Sequence, residues 1–377
     1  MSAWSGKYVI GLTGNIATGK SVVRRMLEHL GAYGIDADAL GHRAIAKGAP
    51  GYQPVVETFG KWVLGSDGQV DRTKLARIVF ADPEALARLE SIIHPLVTQA
   101  IDVLIRRSNQ RVIVIEAIKL LESGLLLMCD SLWVTHAMQE IQLVRLMKKR
   151  GMSEAVARQR IASQPPQDEK VAAANYVIRN DGSFEDTWKQ VVAAWQELFP
   201  AADTGLLRAV KAAEGELAVQ RARPRQASEI ASLITRLSGG KRKLQRDDIM
   251  EAFGEKAYLL LSLGENPVGL VGWQVENLVA RTDEVYIDPT IPYNQAMQAL
   301  TEEVERASRE LQCEISLVFL PPELIQRNEV WSSLGYEERD IHSLQVRAWE
   351  EAAEESMPPG SRMLFKQLRK DRVLRPV

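Results

Sequence analysis

The chain has little cysteine: two in 377 residues, Cys129 and Cys313, far apart and in no metal-ligand spacing. That leaves no basis for a disulfide framework or a zinc ribbon and fits buried thiols in a reducing compartment. A charge of one sign is also missing, since 47 Lys and Arg face 49 Asp and Glu for a net charge of −2, and nothing in that balance asks for a nucleic-acid or membrane partner. No apolar run approaches the ~20 residues a membrane helix needs. The first residues, Met1 to Lys7, lack a basic stretch followed by an apolar core, so the expected location is cytoplasmic. No internal repeat relates the two halves. What is present is ordinary for a soluble, core-forming protein: 46% hydrophobic and 25% charged residues, which excludes disordered and fibrous classes. The length points to two or more domains against a prior of ~150 residues each.

In the first half, short β-type runs alternate with long amphipathic stretches, the pattern of a parallel sheet with helices on its faces. The runs are Tyr8 to Thr13, Ala32 to Ile35, Arg111 to Ile115, Leu132 to Thr135 and Tyr176 to Ile178. Between the second and third lies an all-helical insertion, about Arg43 to Arg107, with apolar residues at i, i+3 and i+4. A second helical excursion, Met138 to Val171, is rich in Arg, Lys and Gln, ends at Pro165-Pro166 and reads as a mobile flap. Pro200 closes this first domain, placed at 1–202, and residues 203–216 are assigned as linker. From Leu217 the character changes to a mixed α+β unit, 217–377. It comprises a helix (Arg225 to Leu237), a basic loop (Lys241 to Arg246), three apolar runs, a helix (Asn294 to Leu311), a strand (Glu314 to Leu320) and a terminal run near Met363 to Leu368. The fold class is therefore α/β with a parallel sheet, followed by a smaller mixed domain.

Gly14-Asn15-Ile16-Ala17-Thr18-Gly19-Lys20-Ser21 fits the phosphate-loop pattern, and it sits where the physics requires, after an apolar run and before a helix. The glycines let the loop wrap. Backbone amides and the helix N-terminus meet phosphates, so Gly14, Ala17, Thr18, Gly19, Lys20, Ser21 and Val22 form the expected nucleotide-binding set. Lys20 is positioned to bridge the β- and γ-phosphates of ATP, and Ser21 to hold Mg²⁺. Asp36 and Asp38 end the second β-run and project into the crevice where such sheets bind ligands. Asp38 is the favoured base, with a helix N-cap as the bland alternative. Glu116, at the end of the third run, is a candidate for Mg²⁺ or its water.

Further motifs occur in order: Gly68-Gln69-Val70-Asp71-Arg72, Ile93-His94-Pro95, the flap Arg150-Gly151-Met152-Ser153 to Arg160-Ile161, and Val177-Ile178-Arg179-Asn180-Asp181-Gly182. Together with the phosphate loop and Ile35-Asp36-Ala37-Asp38, they make roughly the first 200 residues resemble dephospho-CoA kinases. The resemblance implies ATP-dependent phosphorylation of the ribose 3′-hydroxyl of dephospho-CoA. It implies Asp38 as base, Arg150 as the lid arginine over the triphosphate with Arg160 as a second candidate, and a substrate-binding helical insertion. Asp36, Asp71, Arg72 and His94 are the substrate-side candidates. Where the family has Pro-Leu-Leu-Phe-Glu, this chain reads Ile118-Lys119-Leu120-Leu121-Glu122, which places Lys119 beside the expected substrate as a phosphate ligand. Asn175 replaces a usual Asp. The alternatives are another small-molecule or nucleotide kinase, which would prefer a different acceptor, and a nucleotide-dependent switch, which would bind ATP without transfer.

The second unit, about Leu217 to Leu368, resembles the GNAT acetyltransferases through its helix, meander, helix, strand order and the segment Trp331-Ser332-Ser333-Leu334-Gly335-Tyr336-Glu337. That family grips CoA pyrophosphate with backbone amides of a glycine-containing turn. Here the corresponding Asp288-Pro289-Thr290-Ile291-Pro292-Tyr293-Asn294 has two prolines and no glycine. The expectation is a degenerate relative with a binding or regulatory role. Tyr286 and Tyr336 are possible acids that more readily serve as core.

Overall fold

The computed structural model describes residues 4–200, 216–325 and 328–374. The assigned linker, 203–216, falls almost wholly outside them.

The first half is built from β1 (Tyr8–Thr13), α1 (Lys20–His29), β2 (Tyr33–Asp36), α2 (Ala37–Ala44), α3 (Tyr52–Phe59), α4 (Arg72–Val79), α5 (Pro83–Arg107), β3 (Val112–Glu116), β4 (Ser131–His136), α6 (Gln139–Arg150), α7 (Glu154–Ala162), α8 (Gln167–Ala173), β5 (Tyr176–Arg179) and α9 (Phe184–Leu198). Its five strands are all parallel, in the order β2-β3-β1-β4-β5. Every residue of β3 is buried, as expected of a strand covered on both faces. Alternate side chains feed two layers. Ile113 and Ile115 pack with Val97, Ile101 and Leu104 of α5, while Val112 and Val114 join Val23 and Leu27 of α1 and Val191 and Trp195 of α9. The period-2 pattern thus decides which helix covers which face.

The insertion, α3 to α5, buries its own cluster around Val55, Val63, Leu75 and Val79. It is helical apart from one bridge, Leu64 with Val70. Two of its helices start where side chains satisfy free amides: Asp71 accepts from the N–H groups of Thr73 and Lys74 to begin α4, and Asp82 accepts from Glu84 to begin α5.

The second half comprises β6 (Leu217–Arg221), α10 (Ala227–Leu237), α11 (Arg246–Ala252), β7 (Ala257–Leu263), β8 (Asn266–Glu276), β9 (Val279–Ile287), α12 (Tyr293–Glu310), β10 (Ile315–Leu320), α13 (Pro322–Ile325), α14 (Asn328–Ser333), β11 (Glu337–Glu338), α15 (Arg347–Ser356) and β12 (Arg362–Gln367). One mixed sheet runs β11-β12-β10-β9-β8-β7-β6, and β9 with β10 is its parallel pair. The helix, meander, helix, strand order expected from sequence is present as α10, β7 to β9, α12 and β10. Both cysteines are free, and Cys313 is buried.

One turn departs from local preference. Glu276 pairs with Val279, so β8 and β9 are joined by the two residues Asn277 and Leu278, at φ 51° and 62°. Such a hairpin wants Asn-Gly, because both central residues take positive φ. A leucine there is strained by about 1 kcal/mol or more.

No helix among the described residues is long and apolar enough to cross a membrane.

Candidate active site

The loop between β1 and α1 bends through Gly14 (φ 152°), Ala17 (φ 58°) and Gly19 (φ 95°). Gly19 is required twice over. Its φ disfavours any side chain, and a Cβ there would lie 1.9 Å from Asn180 Nδ2. Asn180 is itself fixed, donating to Thr18 O at 3.0 Å and accepting from Thr187 Oγ1 at 3.0 Å. The loop is thereby tied to the end of β5. At its other flank, Thr18 Oγ1 lies 2.7 Å from Thr135 Oγ1 of β4. Lys20 is buried and curls back over the loop, donating to Gly14 O at 3.0 Å and Asn15 O at 3.3 Å. Burial lowers its pKa, while Glu116 and Asp38 oppose that shift.

Three carboxylates act on the lysine, Asp36 and Glu116 at the C-terminal ends of β2 and β3 and Asp38 in the first turn of α2. Ser21 Oγ donates to Glu116 Oε1 at 3.0 Å, and Arg24 Nε donates to Glu116 Oε2 at 2.7 Å. Asp36 caps α2, accepting from Ala39 N at 2.8 Å. Desolvation, and then the nearby Glu116 charge, push the Asp36 carboxyl up to about 7. Asp38 accepts from Ile118 N at 3.0 Å, and burial raises its pKa against the pull of that bond and of Lys20. The capping role weighed for Asp38 therefore belongs to Asp36, which frees the Asp38 carboxylate to face the lysine.

Two groups that sequence reasoning missed complete this arrangement. Lys170 of α8 is buried and donates to Ile118 O at 2.9 Å, and its charge acts on Asp38. Arg145 of α6 donates to Ala17 O at 3.2 Å and Asn180 O at 2.8 Å. The flap also closes onto the loop through Gln164, whose Oε1 accepts from Ile16 N at 2.6 Å, and through Asn15 Nδ2, which donates to Pro165 O at 2.8 Å. A signal existed for Arg145: it lies one and a half turns before Arg150, so the two leave the same helix on different faces.

Other expected residues stand elsewhere. Arg150 is exposed at the end of α6, and Arg160 is exposed on α7. Lys119 turns outward to pair with Glu90 Oε1 at 3.0 Å, so Lys170 rather than Lys119 supplies the cation beside Asp38. Asp71 is consumed as the α4 cap, and Arg72 pairs with Glu351 of the second unit. His94 lines an open groove with Trp4, Thr98 and Met128, apart from the phosphate loop. Asn175 replaces an acid without loss of structure: its Oδ1 accepts from Leu132 N at 2.7 Å.

A family model described as dephospho-CoA kinase matches residues 8–186. A dephospho-CoA kinase of Geobacter metallireducens is 45% identical over 192 residues, which are 50% of this chain and 96% of that protein. The chain belongs to the dephospho-CoA kinase family. A second member, from Aquifex aeolicus, is 46% identical over 190 residues, 50% of this chain and 96% of its own. Among solved structures, the dephospho-CoA kinase from Campylobacter jejuni is similar at 28% identity and TM-score 0.38, covering 51% of this chain and 97% of that one. About half of this chain thus accounts for nearly the whole length of those two curated relatives. Over that unit, an acetyltransferase of the GNAT family from Staphylococcus aureus is similar at 14% identity and TM-score 0.33, covering 41% of this chain and 100% of that one.

In the second unit, the turn at Asp288 to Asn294 bonds within itself. Asp288 takes up the amides of that turn: Thr290 N donates to its Oδ1 at 3.1 Å and Ile291 N to its carbonyl at 3.0 Å. Pro289 and Pro292 have no N–H to offer. Tyr286 Oη accepts from Arg242 Nη1 at 2.9 Å, and Tyr336 is buried against Ser316 at 2.9 Å, so both are held as structure.

Proposed function

We propose that this chain transfers the γ-phosphoryl group of ATP to the ribose 3′-hydroxyl of dephospho-CoA, giving coenzyme A. The reading is carried by one observation. A buried lysine on the phosphate loop faces a carboxylate, Asp38, that is held by a backbone amide at the strand ends, in a chain of this kinase family.

Asp38 acts as base. Its raised pKa brings its basicity nearer to neutrality than an exposed aspartate has, which favours removing a proton from the attacking hydroxyl. The amide of Ile118 holds one carboxylate oxygen and leaves the other to accept that proton. Lys20 leaves its contacts with the loop carbonyls to follow the charge moving toward the β–γ bridge. Arg145, half-buried, and Lys170, buried, place positive charge beside the transferred group. Arg150 and Arg160 are assigned to lid closure over the triphosphate, and the helical insertion to the pantetheine side of the substrate.

The site fits Mg²⁺. Ser21 and Glu116 present oxygens 3.0 Å apart, and desolvation, followed by the charge of Glu116, raises the pKa of Asp36 beside them, so that a cation placed among these oxygens would be met by acidic groups. When bound there, Mg²⁺ would neutralise charge on the β- and γ-phosphates. Ser21 and Glu116, with Asp36, are the residues to hold it or its waters. The cytoplasm is the compartment for this reaction, with a small-molecule substrate and no membrane partner.

The test is ADP release from Mg²⁺-ATP with dephospho-CoA, AMP, CMP or phosphopantetheine as acceptor, with the product's phosphate placed by phosphorus NMR. Turnover confined to dephospho-CoA and lost in Lys20→Ala is the expected result. Asp38→Asn should lower kcat by roughly 10²-fold or more with little change in ATP affinity. Transfer to a nucleoside monophosphate instead, or ATP binding without transfer, would replace this reading.

A further inference from the structure

The strained turn at Asn277-Leu278 is the place where the second unit enters the first. Leu278 is only 8% exposed; its carbonyl accepts from Glu314 N of its own unit at 2.7 Å, while its side chain joins the kinase-core cluster of Ile35, Leu40, Ile101 and Leu104. A leucine held at positive φ at the tip of a hairpin gains nothing locally, since glycine suits that position better. Its side chain is useful only because it is buried in the other domain.

Polar contacts around the tip converge on the helices that carry the site. Arg43, at the end of α2, donates to the carbonyl of Asn277. It also pairs with Glu314 at 2.6 Å, both side chains being buried, and Trp349 Nε1 fixes the same carboxylate oxygen at 3.0 Å. Arg25 of α1 reaches Glu276 at 3.4 Å, and Arg281 holds that carboxylate from behind at 2.6 Å. The hairpin and Asp36 line one cavity of about 40 Å³, into which Arg24 also faces. Since α2 begins with Asp36 and Asp38 and spans two turns, fixing its far end fixes the angle at which Asp38 points.

We propose that the β8–β9 hairpin is a plug through which the second domain positions the catalytic helix α2, with Leu278 and Arg43 as positioning residues. This rests on the kinase reading for its effect on turnover, though not for the docking itself. The second domain would then serve the kinase mechanically. A buried charge pair across the interface suits this purpose, because it sets one geometry more than it adds stability.

The decisive variant is Leu278→Gly in the full chain. It removes the plug and supplies the residue the turn prefers, so the hairpin itself keeps its fold. Hydrogen exchange of the α2 amides should rise about tenfold or more relative to those of β3. With dephospho-CoA, kcat should fall about tenfold or more, as misplacement of a reacting group by a fraction of an ångström does. The KM for ATP and the number of ATP sites stay within twofold, because the phosphate loop is untouched. Leu278→Met, which keeps the volume, should restore both readouts. Arg43→Met should reproduce the loss and Arg43→Lys recover part of it. Unchanged α2 exchange in Leu278→Gly overturns the proposal whatever the turnover. If the wild type exchanges as expected but transfers no phosphate to dephospho-CoA, the kinase reading fails while the exchange data still decide the docking.

Discussion

Asp36→Asn should make the protein more stable while damaging its site, and the gain should depend on pH. The wild-type carboxyl sits beside Glu116 in a desolvated pocket that raises its pKa from 3.8 to about 7. A carboxyl whose folded pKa is raised contributes stability that is full below the unfolded pKa, near 4, and is lost as pH climbs through the folded value. At pH 8 the folded protein must hold an ionised Asp36 that the unfolded chain would rather hold in water. A displacement from 3.8 to about 7 is worth at most about 4 kcal/mol. Glu116 titrates with Asp36, so part of that penalty belongs to the pair, and about 2 kcal/mol is the working expectation for one substitution. Asparagine keeps the cap on Ala39 N, being as good an N-cap as aspartate, so little is lost in exchange.

For a folding unit the size of the first domain, about 2 kcal/mol corresponds to a rise in Tm of roughly 4–8 °C at pH 8, and less if both domains melt together. At pH 4 the two proteins should melt together, because both then carry a neutral side chain there in the native state. The assay is thermal or urea unfolding without Mg²⁺ at pH 4, 6 and 8, run beside kcat at saturating Mg²⁺-ATP, which should fall. Equal stability of the two proteins at pH 8, or a difference that does not change with pH, would refute the claim that Asp36 is charged at a penalty in the fold.

Gly19→Ala forces a Cβ to within 1.9 Å of an amide held by two hydrogen bonds, at a φ of 95°, and should destabilise by about 2–4 kcal/mol with loss of ATP binding; calorimetry and nucleotide titration read both. Lys170→Met removes a charge that pulls Asp38 down, so the acid limb of kcat should move to higher pH. Lys119→Met makes the same charge change where the partner is Glu90 and should leave the limb in place.

The parallel sheet was legible because its strands are short apolar runs between helices, and the bounds of β1 match the expected run residue for residue. Ends elsewhere moved by a residue or two, as hydrogen bonding rather than apolarity decides them. β6, α11 and α15 were not foreseen. β6 is only half-buried along its length and edges the sheet, so it carries no strong alternation. α15 owes its place to Trp349 and Ala353 packing under β12, a contact distant in sequence. The phosphate loop and the acids at the ends of β2 and β3 were legible for a local reason: a strand end fixes where its last side chain points.

What was illegible is whatever depends on which face of a helix meets a distant element. Lys119 and Lys170 are equally good lysines in sequence, and only the packing of α5 and α8 sends one to Glu90 and the other to Ile118 O. Asp71 and Arg72 were read for chemistry because they stand in a motif, yet an aspartate before a helix is satisfied by the helix itself, and Arg72 finds its acid in another domain. The same blindness hid the interface. Asn277-Leu278 announces a hairpin of the wrong composition, and that mismatch was the available signal. A turn that keeps leucine where glycine is easier must be using the side chain for something outside the turn. Once Leu278 is found among Ile35 and Leu104, the exchange of local ease for contact with the kinase core explains the residue, and it implies that the two domains fold into one working unit rather than two tethered ones.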